Sequence, residues 1–231
     1  MKLLALDTSS VACSVALQIG DDVVERHEEQ PREHTRLLMP MIESLLADAG
    51  ASLPDLDAIV LGNGPGSFIG MRIAASVAQG LAFGASLQIV PVSSMAAVAA
   101  RVIAEHDAGE VIVAQDAHMQ EVYLGIYLRG ENDLPEPSVS ERLHGLSVIA
   151  ELESSSDRSR FGAGYGWQRY PELLVANRDR VTNVVDILHP HASDLLGLAT
   201  IALEKGGAIE PQNISPAYLR HKVAEKPGPA P

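Results

Sequence analysis

The chain has 231 residues, of which 46 % are hydrophobic but only 4 % aromatic, so a sizeable core must be built from Ala, Val, Leu and Ile. Its net charge is −13 and its 17 Lys and Arg are scattered, which excludes a phosphate-tracking surface and hence nucleic-acid binding by this chain alone. One cysteine excludes a disulfide framework and fits a reducing cytoplasm, and no apolar run approaches the roughly 18 residues needed to span a bilayer.

"KLLAL" predicts a buried strand ending at Asp7, a charge too early for a secretory leader, so the chain is expected to be soluble and cytoplasmic. "ACSVALQ" predicts a second strand after a Thr-Ser-Ser turn and "DDVVERH" a third, as in an antiparallel meander. "EHTRLLMPMIESLLADAG" carries Leu37, Leu38, Met41, Ile42, Leu45 and Leu46 at amphipathic-helix spacing, with Gly50 as C-cap. Pro40 should kink that helix or mark its first turn. "LDAIVLGN" predicts a buried strand, and "GMRIAASVAQGLAFGA" a helix whose small residues let another helix come close. "LQIVPV" predicts the next strand, and "SSMAAVAARVIAEH" a third helix with Ser93 or Ser94 as N-cap. Strand and helix alternate from about residue 58, which argues an α/β layer with crossover connections.

At residue 110 the layout begins again. "EVIVAQDAHMQEVYLGIYLRGEN" repeats the strand, Asp, turn, strand and Gly order of "KLLALDTSSVACSVALQIGDD". Two related subdomains follow, 1–105 and 106–231. Residues 131–160 are polar, with Pro135, Pro137 and the run "ESSSDRSR", and are expected to be loop with a little helix. "FGAGYGW" is another glycine turn, and "HASDLLGLATIALEKGG" a helix closed by Gly206. The tail, from about residue 224, is expected to be disordered.

Three groups of residues are candidates for chemistry. Asp7, Thr8, Ser9 and Asp116 end the first strand of each repeat; they either face a cleft or bond back to their own turns. "GPGSFIGMR" holds Gly64, Pro65, Gly66, Ser67, Gly70 and Arg72 between a strand and a helix. It is either a phosphate cradle, using the N–H groups of Gly64, Gly66 and Ser67, or a tight turn with Ser67 as cap. His34 beside Glu33, and His189 and His191 around a proline, read as capping or surface residues, and no Ser-His-Asp spacing stands out.

The repeated strand–Asp–turn–strand unit resembles the actin, hexokinase and Hsp70 superfamily. That implies an α/β, actin-like (ribonuclease H-like) duplicated fold with two subdomains, whose paired turns clasp ATP. "DTSS" lacks the glycine such a turn uses to approach phosphate, which argues against ATP hydrolysis. Together "LALDTSS", "EHTRLLMPMI", "GPGSFIGMRI", "PVSSMAAVAA", "DAHMQEVYLGIY" and "SPAYLR" resemble the TsaB (YeaZ) family over nearly the whole chain. Ile69 stands where the family usually has Thr, and His118 where it usually has Arg.

The resemblance implies a non-catalytic subunit of the bacterial tRNA threonylcarbamoyladenosine-forming complex. It would dimerise with the catalytic paralogue TsaD, have the TsaE ATPase as a further partner, and form a homodimer when alone. It would have no cofactor of its own, with ATP or ADP at the interface of the assembled complex, and would meet tRNA only through that complex. The helices at 34–49 and 68–85 would form the partner interface, with Leu38, Met41, Leu45, Ala74, Ala78 and Leu81, although an apolar stripe on two adjacent helices equally suits the chain's own core. The paralogue's metal-binding His-x-x-x-His is replaced by Ser94 and Val98, so no metal is expected. The alternatives are a small-molecule kinase or ATPase of the same superfamily, using Asp7 and Asp116, and a metallopeptidase.

Overall fold

A computed structural model describes residues 1–152, 158–181 and 183–220; the whole of the tail expected to be disordered, and much of "ESSSDRSR", lie outside them. Strands β1 (Lys2–Asp7), β2 (Ala12–Ile19) and β3 (Asp22–Glu29) form the expected antiparallel meander. β4 (Ala58–Gly62) and β5 (Gln88–Val92) join β1 in parallel, giving the order β3-β2-β1-β4-β5. The second half repeats this with β6 (Glu110–Asp116), β7 (Glu121–Arg129), β8 (Pro135–Gly145), β9 (Arg160–Ala163) and β10 (Asn183–Val184), in the order β10-β9-β6-β7-β8. The two sheets share one topology: a meander on one side of the first strand, two parallel strands on the other. This is the α/β, actin-like arrangement of two subdomains.

The helices are α1 (His34–Asp48), α2 (Phe68–Ala85), α3 (Ser94–His106), α4 (Tyr165–Arg169), α5 (Pro171–Asn177) and α6 (Ala192–Glu204). Strands β1 and β4 are buried on both faces, so their apolar runs are nearly continuous. Leu4, Leu6, Ile59 and Leu61 face α1 and α2, while Leu3, Ala5, Ala58 and Val60 face α6. On the second sheet, Val111 and Val113 face α3, and Ile112 and Ala114 face the Trp167 and Leu173 of α4 and α5. The order of layers is therefore α1/α2, first sheet, α3/α6, second sheet, α4/α5. Helix α3 packs on the second sheet and α6 on the first, so the two halves exchange helices at the centre.

Three expectations are corrected. Residues 135–145 form strand β8, because an edge strand tolerates Pro135 and Pro137 and needs no apolar alternation on its open side. "FGAGYGW" is not a bare turn but the end of β9 and the start of α4. Helix α2 is long and apolar enough by composition to cross a membrane, although Arg72 and Gln79 interrupt its apolar run. Its inner side packs on the first sheet through Ala74, Ala78 and Ala82. Helix α1 runs through Pro40, and Gly50 adopts φ +59° just beyond its end.

The start of α6 is docked on β2 and β3 by a cluster that the sequence scatters. Glu25 accepts from Ser193 N–H (2.9 Å) and lies 2.9 Å from His191 Nδ1, while Ala192 N–H donates to Ser14 Oγ (2.9 Å). The ring of His27 stacks on that of His191, centroids 3.7 Å apart and 5° from parallel. Burial raises the Glu25 carboxyl, but His191 and Ser193 together hold it at about 2. Burial lowers the His27 and His189 imidazoles below their ordinary range, and charge on His191 would lower them further.

Imidazoles so depressed add stability that is complete above pH ~6.5 and is lost as pH falls below it. Asp7, Glu141 and Asp194, raised by burial, act in the opposite direction, so the diagnostic is a difference between two proteins. Urea unfolding at pH 7.5 and 5.5 is expected to show a loss of stability in wild type that shrinks in His27→Phe. At pH 7.5 that variant should be unchanged or up to about 1 kcal/mol more stable, since both His27 ring nitrogens are buried without hydrogen-bond partners. An equal pH response in both proteins would remove His27 from the account.

Candidate functional site

The junction of β1, β4 and α3 is organised around one buried carboxylate. Asp7, 1 % exposed, accepts at Oδ1 from Ser9 N–H and Ser9 Oγ, each at 2.8 Å, and lies 2.5 Å at Oδ2 from Ser94 Oγ. Ser94 Oγ in turn accepts from Gly64 N–H (3.0 Å), and Ser94 N–H donates to Gly64 C=O (2.9 Å). Burial pushes the Asp7 carboxyl above its ordinary range, against the pull of the Ser94 and Ser9 hydrogen bonds.

The glycines of "GNGPGSFIGMR" answer to this geometry. A Cβ on Gly62 would overlap the Asp7 carboxylate, one on Gly66 the Ser9 carbonyl, and one on Gly70 the Thr8 carbonyl. Gly64 sits at φ +80° before a cis Gly64–Pro65 bond. Ser67 N–H donates to Ser9 C=O (2.6 Å), Thr8 Oγ1 donates to Gly70 C=O (2.7 Å), and Ser67 Oγ caps α2 at Gly70 N–H (3.2 Å). Of the three N–H groups that a phosphate cradle would use, those of Gly64 and Ser67 are already spent inside the protein. The loop is laid backbone to backbone on the "DTSS" turn, and its small residues serve that contact.

Asp116 does in the second repeat what Asp7 does in the first. Its Oδ1 accepts from His118 N–H (2.8 Å), two residues on, as Asp7 Oδ1 does from Ser9 N–H; Tyr170 OH adds a second bond (2.8 Å). Between the two turns lies a cleft of about 600 Å³ that includes Ser9 and Asp116 in its lining. Asp7 and Thr8 do not reach it: both are buried behind the turn. Of the two readings, Asp7 follows the second and bonds back to its own turn, while Ser9 and Asp116 line the cleft.

The "SPAYLR" segment crosses from the first repeat to the second as a strap. Asn63 bonds to the backbone of Ser215 and Ala217, and Arg72 Nε donates to Tyr218 OH (2.8 Å) while its guanidinium lies over Phe68. Arg220 then donates to Ala117 C=O (3.0 Å) and to the Glu121 carboxylate (2.6 Å) in the turn of the second repeat. The motif was visible in the sequence, but its partners lie about 100 to 150 residues away and only the fold brings them together.

The residues expected at the partner interface lie mostly inside this chain. Leu38, Met41, Leu45, Ala74 and Ala78 are buried against the first sheet, and Leu81 packs partly on the same core. Helical spacing identifies an apolar face but not which side the sheet will cover. The outward side of α2 instead shows Ile69 (70 % exposed) and Phe83 (79 % exposed), with Ser76 and Gly80 between them. His118 is exposed at φ +59°, so neither departure from the family pattern touches the core. Ser94 is committed to Asp7 and Gly64, and Val98 is buried in the core, a donor set that does not make a metal site. His34 does not cap α1; its Nε2 lies 3.0 Å from Ser10 C=O.

A family model described as TsaD, tRNA N6-adenosine threonylcarbamoyltransferase, matches residues 26–154. The chain is 37 % identical to the tRNA threonylcarbamoyladenosine biosynthesis protein TsaB of Escherichia coli (strain K12), over 98 % of this chain and 97 % of that one. The protein of the same name from Haemophilus influenzae is 36 % identical, over 98 % and 96 %. Among solved structures, YeaZ from Pseudomonas aeruginosa superposes with a TM-score of 0.84 at 38 % identity, covering 94 % of this chain and 99 % of that one. A structure described as a protein with similarity to peptidase YEAZ from Pseudomonas aeruginosa reaches a TM-score of 0.87 at 40 % identity, covering 95 % and 99 %.

A structural Asp7 is expected to tolerate an isostere better than a truncation. Asp7→Asn keeps an acceptor for Ser9 but turns a donor toward Ser94 Oγ, leaving that hydroxyl without its acceptor, so chemical denaturation should show a loss of about 1–2 kcal/mol, whereas Asp7→Ala, which strands Ser9 as well, should lose about 2–4 kcal/mol. Gly70→Ala should lose about 2 kcal/mol or more, through overlap with backbone that cannot move aside. Equal stability of Asp7→Ala and wild type would overturn this role.

Proposed function

The chain belongs to the TsaB (YeaZ) family, and on that premise we propose that it is a non-catalytic subunit in tRNA threonylcarbamoyladenosine biosynthesis that dimerises with TsaD. The observation that carries the reading is α2: an 18-residue apolar helix whose inner side is spent on the first sheet and whose outer side carries Ile69 and Phe83 uncovered. Small residues between them, Ser76 and Gly80, allow a partner helix to approach closely. The surface runs on to the outer side of α1, where Pro40, Ser44 and Ala47 are exposed. The same surface would serve a homodimer in the absence of TsaD.

TsaE would join as a further partner, ATP or ADP would bind at the interface of the assembly rather than to this chain alone, and tRNA would be met through the complex. The charge of −13 supports that division, since a strongly acidic chain is a poor receptor for a polyanion. A cytoplasmic location follows from the same role. The kinase or ATPase alternative is weakened by the burial of Asp7, whose oxygens serve Ser9 and Ser94 instead of a nucleotide-bound cation. The metallopeptidase alternative is weakened by Ser94 and Val98.

Size-exclusion chromatography with light scattering tests the reading. Wild type mixed with its cognate TsaD is expected to elute as a one-to-one complex. Phe83→Arg should keep the wild-type melting temperature and lose the complex. Ala78→Arg, once its side chain is read as part of the core, should instead lose about 3 kcal/mol or more of stability. A complex that forms equally well with Phe83→Arg would overturn the α2 surface.

A further inference from the structure

We propose that the outer surface of α2 selects its partner by charge as well as by shape: it fits a helix that carries a carboxylate, Asp or Glu, placed to meet Arg72. The inference rests on the reading of α2 as the partner surface and adds the chemistry of the group recognised there. Ile69, Arg72, Ser76, Gly80 and Phe83 are all exposed and follow one another at intervals of three or four residues, so they fall in one line along the helix. Nothing lies within 4 Å of the place a Cβ on Gly80 would take, so the middle of the line is open. A second helix can come close at Ser76 and Gly80 and lie between the apolar side chains of Ile69 and Phe83, which stand about 21 Å apart along the axis.

Arg72 is the one charged residue on that line, and its side chain is held in place by this chain itself. Its Nε donates to Tyr218 OH (2.8 Å), and its guanidinium lies 3.7 Å from the centroid of the Phe68 ring and 5.7 Å from that of Tyr218. Those contacts leave the Nη1–Nη2 end of the fork without an acceptor, and among the described residues no carboxylate pairs with it. A guanidinium already stacked and hydrogen-bonded loses little further freedom on binding, and its fork prefers a carboxylate to a neutral acceptor. On α1, where the same surface continues, the exposed Arg36 is already engaged by Glu33 (2.5 Å), and the exposed Glu43 stands between Pro40 and Ala47. A partner carboxylate is thus favoured at Arg72 and repelled at Glu43, which fixes the direction in which the partner lies. The strap gains a second role, since its Tyr218 holds the cation at one end of the line.

Calorimetric titration of the full-length chain with its cognate TsaD, at about 50 and about 500 mM NaCl, tests the charge directly. Arg72→Met, which keeps an apolar stem over Phe68, is expected to weaken binding about tenfold or more at low salt. Arg72→Glu should weaken it about tenfold further, because two carboxylates would then face each other, and the gap between the two variants should narrow at high salt. Tyr218→Phe, which removes only the Nε acceptor, should weaken binding about threefold at an unchanged melting temperature. Arg178→Glu, at the end of α5 on the opposite outer layer, alters the net charge as much as Arg72→Glu does and should bind as wild type. Wild-type affinity in Arg72→Met, equal affinities of Arg72→Met and Arg72→Glu at low salt, or a loss in Arg178→Glu as large as in Arg72→Glu would each overturn the proposal while leaving the α2 surface standing. Absence of any wild-type complex would overturn the reading of α2 itself, and the proposal with it.

Discussion

Placing an ionisable carboxyl where water cannot reach it constrains everything around it. Asp7 has to be supplied with donors, and the chain supplies them from three places: its own turn at Ser9, the start of α3 at Ser94 and, through Ser94, the loop at Gly64. That demand draws the loop after β4 onto the "DTSS" turn closely enough that side chains at positions 62, 66 and 70 would collide with it. The loop sets where α2 begins, and α2 in turn forms both a layer of the core and the outer surface at Ile69 and Phe83. A single buried carboxyl thus bears on the orientation of the helix through which a partner would be met.

The duplicated architecture carries two different outcomes of one local device. In each repeat an Asp at the end of the first strand accepts an N–H two residues later. In the first repeat the Asp is sealed under the glycine loop and serves the fold. In the second it remains at the cleft wall, held by Tyr170 and neighbouring the strap at Arg220. The exchange of α3 and α6 between the sheets, the Glu25–His191 contact and the strap from Asn63 to Glu121 bind the repeats together.

The layout of elements was legible because it rests on local physics. Apolar alternation and apolar runs gave β1 to β7 their places, Ser67 and Ser93 capped α2 and α3, and Gly50 and Gly206 ended α1 and α6 with positive φ. Strand β8 was not legible, since an exposed edge with two prolines has neither period nor propensity to announce it. That the apolar faces of α1 and α2 are covered by the chain's own sheet was not legible for a related reason. The periodicity that singles out Leu38, Met41, Ala74 and Ala78 is produced by burial against the chain's own sheet, and burial against another molecule would leave the same pattern.

What the sequence determined by itself was the family, the repeated strand–Asp–turn–strand plan and the glycines of the loop, because each is a property of neighbouring residues or of a short motif. What only the tertiary structure decided was which groups meet: Asp7 with Ser94 across 87 residues, Arg72 with Tyr218 across 146, and Glu25 with His191 across 166. Those pairings follow from how sheets stack and helices exchange. They leave no trace in local spacing, so they decide which of the candidate residues face the cleft, which face the core and which remain free to face a partner.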